Sequence, residues 1–274
     1  MSKITLKVGK RVTSAENKDP SMPLLKPFAA LVVLAALGAS SLLLVVEDII
    51  ARLPEGVVAE AGGPAVLTAL MLVQPTILSC VAIAFGLALA HRVSLRSILV
   101  DRLRGLETSG PTSSFTTVAL IGGLAAGFII VGGDLLFAPW TDEALSSASV
   151  APDKRLPALA FGVLYGGITE EILLRWGLMS LVAWFLTRIG VQPGVAVALG
   201  MLVSALIFAV AHLPALAAIV PLDAPLIART ILINTGAGIV FGMAYARHSL
   251  EAAMVAHAVA HVILFIARLG GLAY

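Results

Sequence analysis

Two adjacent carboxylates and a guanidinium interrupt an otherwise apolar stretch of this sequence. The segment Thr169-Glu-Glu-Ile-Leu-Leu-Arg175 lies within the hydrophobic run 156–187. Ionisable side chains at membrane depth are costly, and they usually face a cavity or each other. In an α-helix Glu171 and Arg175 share a face with the glutamate first, which is the favourable order for an ion pair. Glu170 points away from Arg175, so this spacing leaves Glu170 as the carboxylate available for chemistry.

Three histidines lie at a similar depth in two later apolar runs. His212 is close to the middle of run 195–222, and His257 and His261 bracket the middle of run 250–269. A spacing of four residues places His257 and His261 on one helical face. Because three helices bring polar groups to one layer of the bilayer, we predict a shared site. Imidazoles beside a carboxylate suit a divalent metal such as zinc, with His212, His257, His261 and Glu171 as candidate ligands.

Other interpretations of the same residues stay open at this point. A purely structural polar cluster could hold the helices together, paired histidines could ligate haem, and buried Glu and Arg could relay protons in a transporter. The sequence contains neither the His-Glu-x-x-His of zinc membrane proteases nor a Gly-x-Ser-x-Gly serine site. Asp134, Arg229, Arg247 and Glu251 lie nearer the ends of their runs, where their side chains can reach the membrane interface.

The elements that position these residues are predicted to be membrane helices. Of the 274 residues 59% are hydrophobic and 12% are charged, whereas soluble domains average about 25% charged residues. A membrane helix needs about 20 apolar residues. The sequence therefore predicts an all-α polytopic bundle of seven membrane helices, or eight if the long fourth run crosses twice. The apolar runs are 27–46, 65–90, 117–138, 156–187, 195–222, 226–246 and 250–269.

Charge asymmetry between the loops predicts the orientation. The N-terminal tail carries six Lys and Arg residues, and the second loop carries Arg at positions 92, 96, 102 and 104. The first loop instead carries Glu47, Asp48, Glu55 and Glu60, and the third loop carries Asp142, Glu143 and Asp153. Because cytoplasmic loops are enriched in Lys and Arg, we predict a cytoplasmic N-terminus and, with seven spans, an external C-terminus. The polar tail, which has no signal-peptide pattern, fits a bacterial plasma membrane.

The partners and the domain organisation follow from the same features. A net charge of +2 gives no indication of nucleic acid binding, so the expected surrounding is the lipid bilayer. We divide the chain into a cytoplasmic tail (1–26), N-terminal membrane helices (27–155) and a membrane core that carries the polar motifs (156–274). The oligomeric state is not predicted.

The polar motifs, taken together, resemble those of the CPBP family, the CAAX proteases and bacteriocin-processing enzymes also called Abi proteins. That family has Glu-Glu-x-x-x-Arg, Phe-x-x-x-His and His-x-x-x-Asn or Asp on three successive core helices. This sequence has Glu170-Glu171-Ile-Leu-Leu-Arg175, Phe208-Ala-Val-Ala-His212 and His257-Ala-Val-Ala-His261. The element Gly238-x-x-x-Gly242-x-x-Tyr245 is also similar. The resemblance covers about residues 156–268.

The resemblance implies an intramembrane endopeptidase that cleaves a membrane-associated peptide or protein, with either a divalent metal such as zinc or a water activated by Glu and His without metal. It implies Glu170 as the general base on water, Glu171 and Arg175 as orienting residues, and His212 and His257 as metal ligands or groups that polarise the water. The sequence departs from the family at His261, where the family has Asn or Asp. That position is thought to bind metal or stabilise an oxyanion, and an imidazole can do either. A non-catalytic scaffold or transporter built on the same cluster is the alternative.

Overall fold

The computed structural model describes residues 24–106, 112–147 and 149–272. Across these ranges the chain forms helices and loops without a β-strand, which confirms the all-α prediction. Two π-helical segments, Gly162–Glu170 and Ile172–Met179, join α7 to α8. The α-helices are α1 (Leu25–Ser40), α2 (Val46–Arg52), α3 (Glu55–Glu60), α4 (Pro64–Leu89), α5 (Ile98–Leu103), α6 (Thr112–Ser147), α7 (Arg155–Phe161), α8 (Ser180–Arg188), α9 (Pro193–Ala217), α10 (Ala224–Arg247) and α11 (Leu250–Leu269).

Seven helical stretches in the described ranges are long and apolar enough to cross a membrane, which confirms the integral membrane prediction. They span residues 25–44, 64–93, 114–146, 152–188, 193–217, 224–247 and 250–269. Large apolar side chains cover their outer surfaces; Phe128, Leu136 and Ile266, for example, are 71%, 67% and 61% exposed. An apolar surface of this extent suits hydrocarbon rather than water, because lipid imposes no cost on exposed leucine or phenylalanine.

The fourth membrane stretch, residues 152–188, is one continuous helix whose winding changes along its length. It begins with a short 3₁₀ turn and α7, passes through the two π-helical segments and ends as α8. A π-helix has i→i+5 hydrogen bonds and therefore more residues per turn than an α-helix, and π turns occur frequently at functional sites. The extra residues per turn help 37 residues to make a single crossing. The described residues therefore contain seven candidate spans rather than eight.

Contacts between loops independently require the fourth stretch to cross once. The backbone N–H of Leu250 donates to the carbonyl of Arg96 at 3.0 Å, and the Ser97 hydroxyl donates to the Glu251 carboxylate at 2.6 Å. The loop after the second membrane helix and the loop before the seventh therefore lie at the same membrane face. Four membrane stretches separate these loops, so the fourth stretch must cross an odd number of times.

The loops at the opposite face pair in the same way. Lys154 forms an ion pair with Asp48 at 3.4 Å, and Arg52 donates to the carbonyl of Ser149 at 3.3 Å. These contacts place the first and third loops together, away from the arginine-rich second loop. The cytoplasmic orientation itself stays a prediction, and most of the basic tail on which it depends (residues 1–23) lies outside the described residues.

The core that positions the site packs α1, α4, α9 and α11 around the fourth membrane helix. On the α1 side, the Thr169 hydroxyl donates to the carbonyl of Ala35 at 3.2 Å. Gly38 allows this close approach, because a Cβ there would lie 2.8 Å from the carbonyl oxygen of Leu164. Backbone contact with α1 therefore anchors the first π segment immediately before Glu170.

Candidate active site

Three membrane helices bring the predicted polar residues together. Glu170 ends the first π segment, Glu171 lies between the two π segments, and Arg175 lies in the second. His212 comes from α9, and His257 comes from α11. Although 86 residues separate them, His257 and Glu171 are in direct hydrogen-bond contact. The shared site predicted from matching depths therefore exists as a spatial cluster.

Glu171 lies at the buried centre of this cluster. Its side chain is 0% exposed, and its Oε1 forms an ion pair with Arg175 Nη1 at 3.0 Å. The same oxygen lies 2.8 Å from His257 Nδ1. The ion pair predicted from the four-residue spacing is thus present, and it also holds an imidazole from another helix. Oε1 is therefore occupied, whereas Oε2 is buried without a hydrogen-bond partner among the described residues, and the predicted ligand role of Glu171 stays a prediction.

Arg175 is held on all sides by groups from α9 and α10. Its Nη2 donates to the carbonyl of Gly238 at 3.0 Å. The guanidinium carbon lies 5.1 Å from the ring centroid of Phe208 and 5.4 Å from that of Phe241, which are cation–π distances. Arg175 therefore fixes Glu171 and ties the π-helical segment to α10, without itself lining the open part of the site.

His257 presents one nitrogen to a cavity because the other is occupied. The carboxylate of Glu171 accepts only, so the contact at 2.8 Å assigns the proton to His257 Nδ1. Nε2 is then an acceptor, and it lies 3.9 Å from Glu170 Oε2. The ring stacks on Phe241 with centroids 4.3 Å apart and an interplanar angle of 14°. Carboxylate and aromatic contacts together fix the tautomer and the orientation of the imidazole.

Glu170 differs from its neighbour in exposure. Its side chain is 21% exposed and lines the cavity, whereas that of Glu171 is completely buried. The 3.9 Å separation between Glu170 Oε2 and His257 Nε2 exceeds a hydrogen bond, but one water molecule can bridge two groups at that distance. The two glutamates therefore occupy the different positions that their spacing from Arg175 predicts.

Nε2 of His212 faces the same cavity. Its Nδ1 lies 2.7 Å from the carbonyl of Phe208, one turn earlier in α9, so Nδ1 carries the proton and Nε2 is the acceptor. The ring packs edge-on against Phe208 with centroids 4.6 Å apart. The Phe-x-x-x-His spacing thus has a physical meaning, because one turn of helix supplies both the wall and the hydrogen-bond acceptor that orient the imidazole.

His261 stacks on His257, with ring centroids 5.0 Å apart and an interplanar angle of 10°. Both rings lie against the first π segment, where Gly162 and Gly166 leave space for them. A Cβ at Gly166 would lie 2.8 Å from His261 Nε2 and 3.1 Å from His257 Nε2. The pair of glycines is therefore part of the site, a role that a Gly-x-x-x-Gly spacing does not reveal because it is also common in ordinary membrane helix packing.

A cavity of about 340 Å³ connects these groups to a second charged cluster. Glu170, His212, His257 and His261 line one end of the cavity. Asp134, Arg229 and Arg268 line it further along. Asp134 is only 5% exposed, so it is buried within the bundle. It pairs with Arg229, a contact between helices that its position near the end of a run could not predict.

The predicted zinc ligands can be judged by the positions of their donor atoms. Across the described ranges, no three His, Cys, Asp or Glu side chains are grouped closely enough to hold a metal ion. The donor types facing the cavity, two imidazole acceptors and one carboxylate, have the chemistry of a zinc site, but their arrangement does not form one. The bound metal therefore stays a prediction.

The chain was compared with protein families, curated proteins and solved structures. Residues 152–263 match the family model described as Type II CAAX prenyl endopeptidase Rce1-like. The comparisons with curated proteins and with solved structures give no significant match. The matched segment contains all three motifs and every residue of the polar cluster from Glu170 to His261. Through this segment the chain is similar to the Rce1-like CAAX endopeptidases, which confirms the family predicted from the motifs.

Proposed function

We propose that this integral membrane protein is an endopeptidase that hydrolyses a peptide bond of a membrane-associated protein or peptide, with Glu170 as general base. The observation that carries the proposal is the facing of Glu170 Oε2 and His257 Nε2 across 3.9 Å. Two acceptors at this distance can hold one water molecule and direct its oxygen into the cavity. The family match, which covers residues 152–263, supports the same reaction class.

The reaction begins with the water held between the two acceptors. His257 Nε2 accepts one hydrogen of the water and Glu170 accepts the other, so a lone pair on the oxygen faces the substrate carbonyl. Glu170 takes a proton as the C–O bond forms, which gives a tetrahedral intermediate with a negative oxygen. Glu170 then returns that proton to the amide nitrogen as the C–N bond breaks. The products are a carboxylic acid and an amine, and the side chain ends as a carboxylate.

The negative oxygen of the intermediate needs a donor, and the hydrogen-bond pattern indicates which residue supplies it. Nε2 of His212 and of His257 are acceptors as long as their Nδ1 protons are committed. A neutral imidazole always retains one N–H, and His261 lines the same cavity stacked on His257. We assign the oxyanion contact to His261. This role is consistent with the family's Asn at that position, since an amide is also a donor.

Glu171 and Arg175 act by positioning. The carboxylate fixes the His257 tautomer, and the guanidinium fixes the carboxylate. A hydrogen-bonded carboxylate behind an imidazole also raises the basicity of the imidazole, as it does behind metal-bound histidines.

The test uses purified protein, in vesicles, with a set of membrane-spanning and lipid-anchored peptides read by mass spectrometry. Wild type should cleave at least one peptide, and Glu170→Gln should lower kcat by about 10²–10⁴-fold, the usual contribution of a general base. Glu143→Gln is the matched control, because Glu143 is an exposed glutamate near the end of α6. Undiminished cleavage by the Glu170 variant would remove that residue from the mechanism. A folded wild-type protein that cleaves none of the peptides would favour the non-catalytic alternative.

A further inference from the structure

Two apolar grooves outside the active-site cavity meet at one arginine. The first groove lies between α6 and α10 and has a volume of about 210 Å³. The second lies between α9, α10 and the second loop. Arg247, the last residue of α10, lines both grooves, and so does Met243 one turn earlier. Neither groove shares a lining residue with the cavity that contains Glu170, so the mechanism above uses neither of them.

Both grooves extend from one membrane face into the bilayer. The first follows α6 from Thr117 to Ala125, and the second follows α9 from Gly194 to Met201. Seven or eight helical residues correspond to about 10–12 Å, which is most of the roughly 15 Å of hydrocarbon in one leaflet. Apart from Arg247, Thr117 and Ser94, the side chains that line the grooves are apolar. Hydrocarbon chains therefore suit both grooves in depth and in polarity.

Arg247 supplies a positive charge where the two grooves meet. Its side chain is exposed, and it forms no hydrogen bond or ion pair within the described part of the chain. The acidic groups described on this face have other partners. Asp101 forms an ion pair with Arg96 at 3.3 Å, and Glu251 accepts hydrogen bonds from the Ser97 hydroxyl and from two backbone N–H groups of α5. An anionic group from outside the protein would therefore complement the charge of Arg247.

We propose that this surface binds one anionic phospholipid, with the phosphate at Arg247 and one acyl chain in each groove. A phospholipid has the matching shape, because two hydrocarbon chains diverge from one headgroup. Guanidinium groups form charge-assisted hydrogen bonds with phosphate oxygens. Arg247 lies at the membrane face of the arginine-rich second loop, which is predicted to be cytoplasmic, and basic pockets between membrane helices on that side bind anionic headgroups. We call this surface, defined by Arg247 and the two grooves, the lipid site.

The lipid site supports α10 from the side opposite the active site. Val240 lines the first groove. Its near neighbours Gly238 and Phe241 contact Arg175 and His257, through a hydrogen bond and a ring stack respectively. One short stretch of α10 therefore joins the lipid site to the polar cluster. Since a ligand that binds only the folded state stabilises it, a bound lipid should raise the melting temperature.

Mass spectrometry of the intact protein in a neutral detergent measures the bound lipid directly. Delipidated protein receives equal amounts of phosphatidylglycerol, which has a net negative charge, and phosphatidylcholine, which has none, with the same two acyl chains. Wild type should bind one phosphatidylglycerol with an affinity at least about tenfold higher than that for phosphatidylcholine, as expected for a charge-assisted contact. The melting temperature should rise more with phosphatidylglycerol. Equal affinities of wild type for the two lipids would overturn the proposal.

Variants of Arg247 show whether this arginine causes the preference. In Arg247→Gln the ratio of the two affinities should fall toward one, whereas Arg247→Lys, which keeps the charge, should retain most of it. Arg102→Gln is the matched control, because Arg102 is an exposed arginine of α5 at the same membrane face and lines neither groove. An equal loss of preference in Arg102→Gln and Arg247→Gln would indicate general attraction to a basic face and would refute a specific site.

A groove variant and a one-chain lipid test the contribution of the acyl chains. Ala125→Leu fills part of the first groove and should weaken the binding of both lipids, whereas Gly132→Leu, on the same helix with open space around it, should not. Phosphatidylglycerol with a single acyl chain should bind at least about tenfold more weakly, because the apolar surface of one groove stays uncovered. Equal affinity for the one-chain and two-chain lipids, or unchanged binding in Ala125→Leu, would contradict the placement of the chains. These measurements require no peptidase activity, so their outcome is independent of the proposed function.

Discussion

In the Glu171→Gln variant the shape of a fully buried side chain is kept while its charge is lost. In the wild-type protein Glu171 Oε1 lies 3.0 Å from Arg175 Nη1 and 2.8 Å from His257 Nδ1. Glutamine retains a carbonyl oxygen that can accept from one of these groups. The guanidinium is then left in the bundle interior without a counter-charge, which is the unfavourable situation for a buried ion.

The expected loss of stability follows from burial of both partners. Arg175 is 1% and Glu171 0% exposed, and removing one partner of a buried ion pair costs about 3–5 kcal/mol. Arg175 keeps its bond to Gly238 and its two aromatic contacts, so we expect the lower end, about 3 kcal/mol. At roughly 2–4 °C per kcal/mol for a chain of this size, the melting temperature should fall by roughly 6–12 °C.

The assay is thermal unfolding in detergent, followed by the fluorescence of a thiol probe that reacts with Cys80 as the bundle opens. Glu170→Gln is the matched control, because that side chain is 21% exposed and faces the cavity. It should melt within about 2 °C of wild type, as is usual for changes away from buried pairs. Peptidase activity should be lost in both variants, so the melting temperature is the measurement that separates the two glutamates.

A second variant makes the interpretation specific. Glu171→Gln combined with Arg175→Gln removes the unpaired charge and should recover part of the lost melting temperature, because replacing both members of a buried pair is often close to neutral. A Glu171→Gln protein that melts like wild type would refute the buried-pair reasoning. So would a double variant that is less stable by the sum of two independent losses.

Three further predictions concern the glycine wall, the topology and the metal. Gly166→Ala should lower kcat/KM by about tenfold or more, because its Cβ displaces the two stacked imidazoles at an overpacking cost of about 1–3 kcal/mol. Gly132→Ala, with open space around it, should retain wild-type kinetics. Equal activities of the two variants would contradict the role of Gly166 in making space for the imidazoles. In a background without the native cysteine, cysteines at the exposed positions Ser149 and Gln192, which flank the fourth stretch, should react from opposite membrane faces, the latter from the cytoplasm. Labelling of both from one face would contradict a single crossing by that stretch. If His261 is a ligand, metal analysis should show zinc content that decreases from wild type to His261→Asn and then to His261→Ala. Equal zinc content in all three proteins, or no zinc in any, would exclude the ligand role and leave the oxyanion contact as the role of His261.

Local features of the sequence were sufficient for the elements and for one important contact. Hydropathy is a property of consecutive residues, so the seven membrane helices could be predicted from their apolar runs. The Glu171–Arg175 pair was predictable for the same reason, because both residues lie within about one turn of a single helix. The family could also be predicted, since its three motifs are short and occur in order.

The tertiary structure decided which atoms face the cavity. Nothing local distinguishes Glu170 from Glu171 as partner of His257, because that contact joins residues 86 positions apart. The commitment of His257 Nδ1 to a carboxylate, which leaves Nε2 as acceptor, depends on the packing of α11 against the π-helical segment. Periodicity also could not predict the π winding itself, because an apolar run has the same composition in either kind of helix.

Packing between helices also determined the role of the outlying charges. Asp134 and Arg229 lie 95 residues apart, each toward the end of its own run, and taken singly each can reach the interface. The bundle instead places them side by side on the wall of the cavity that contains Glu170. The sequence indicates how deep an ionisable group lies along its own helix. The residue with which that group pairs depends on which faces of the helices meet, and only the folded bundle determines those faces.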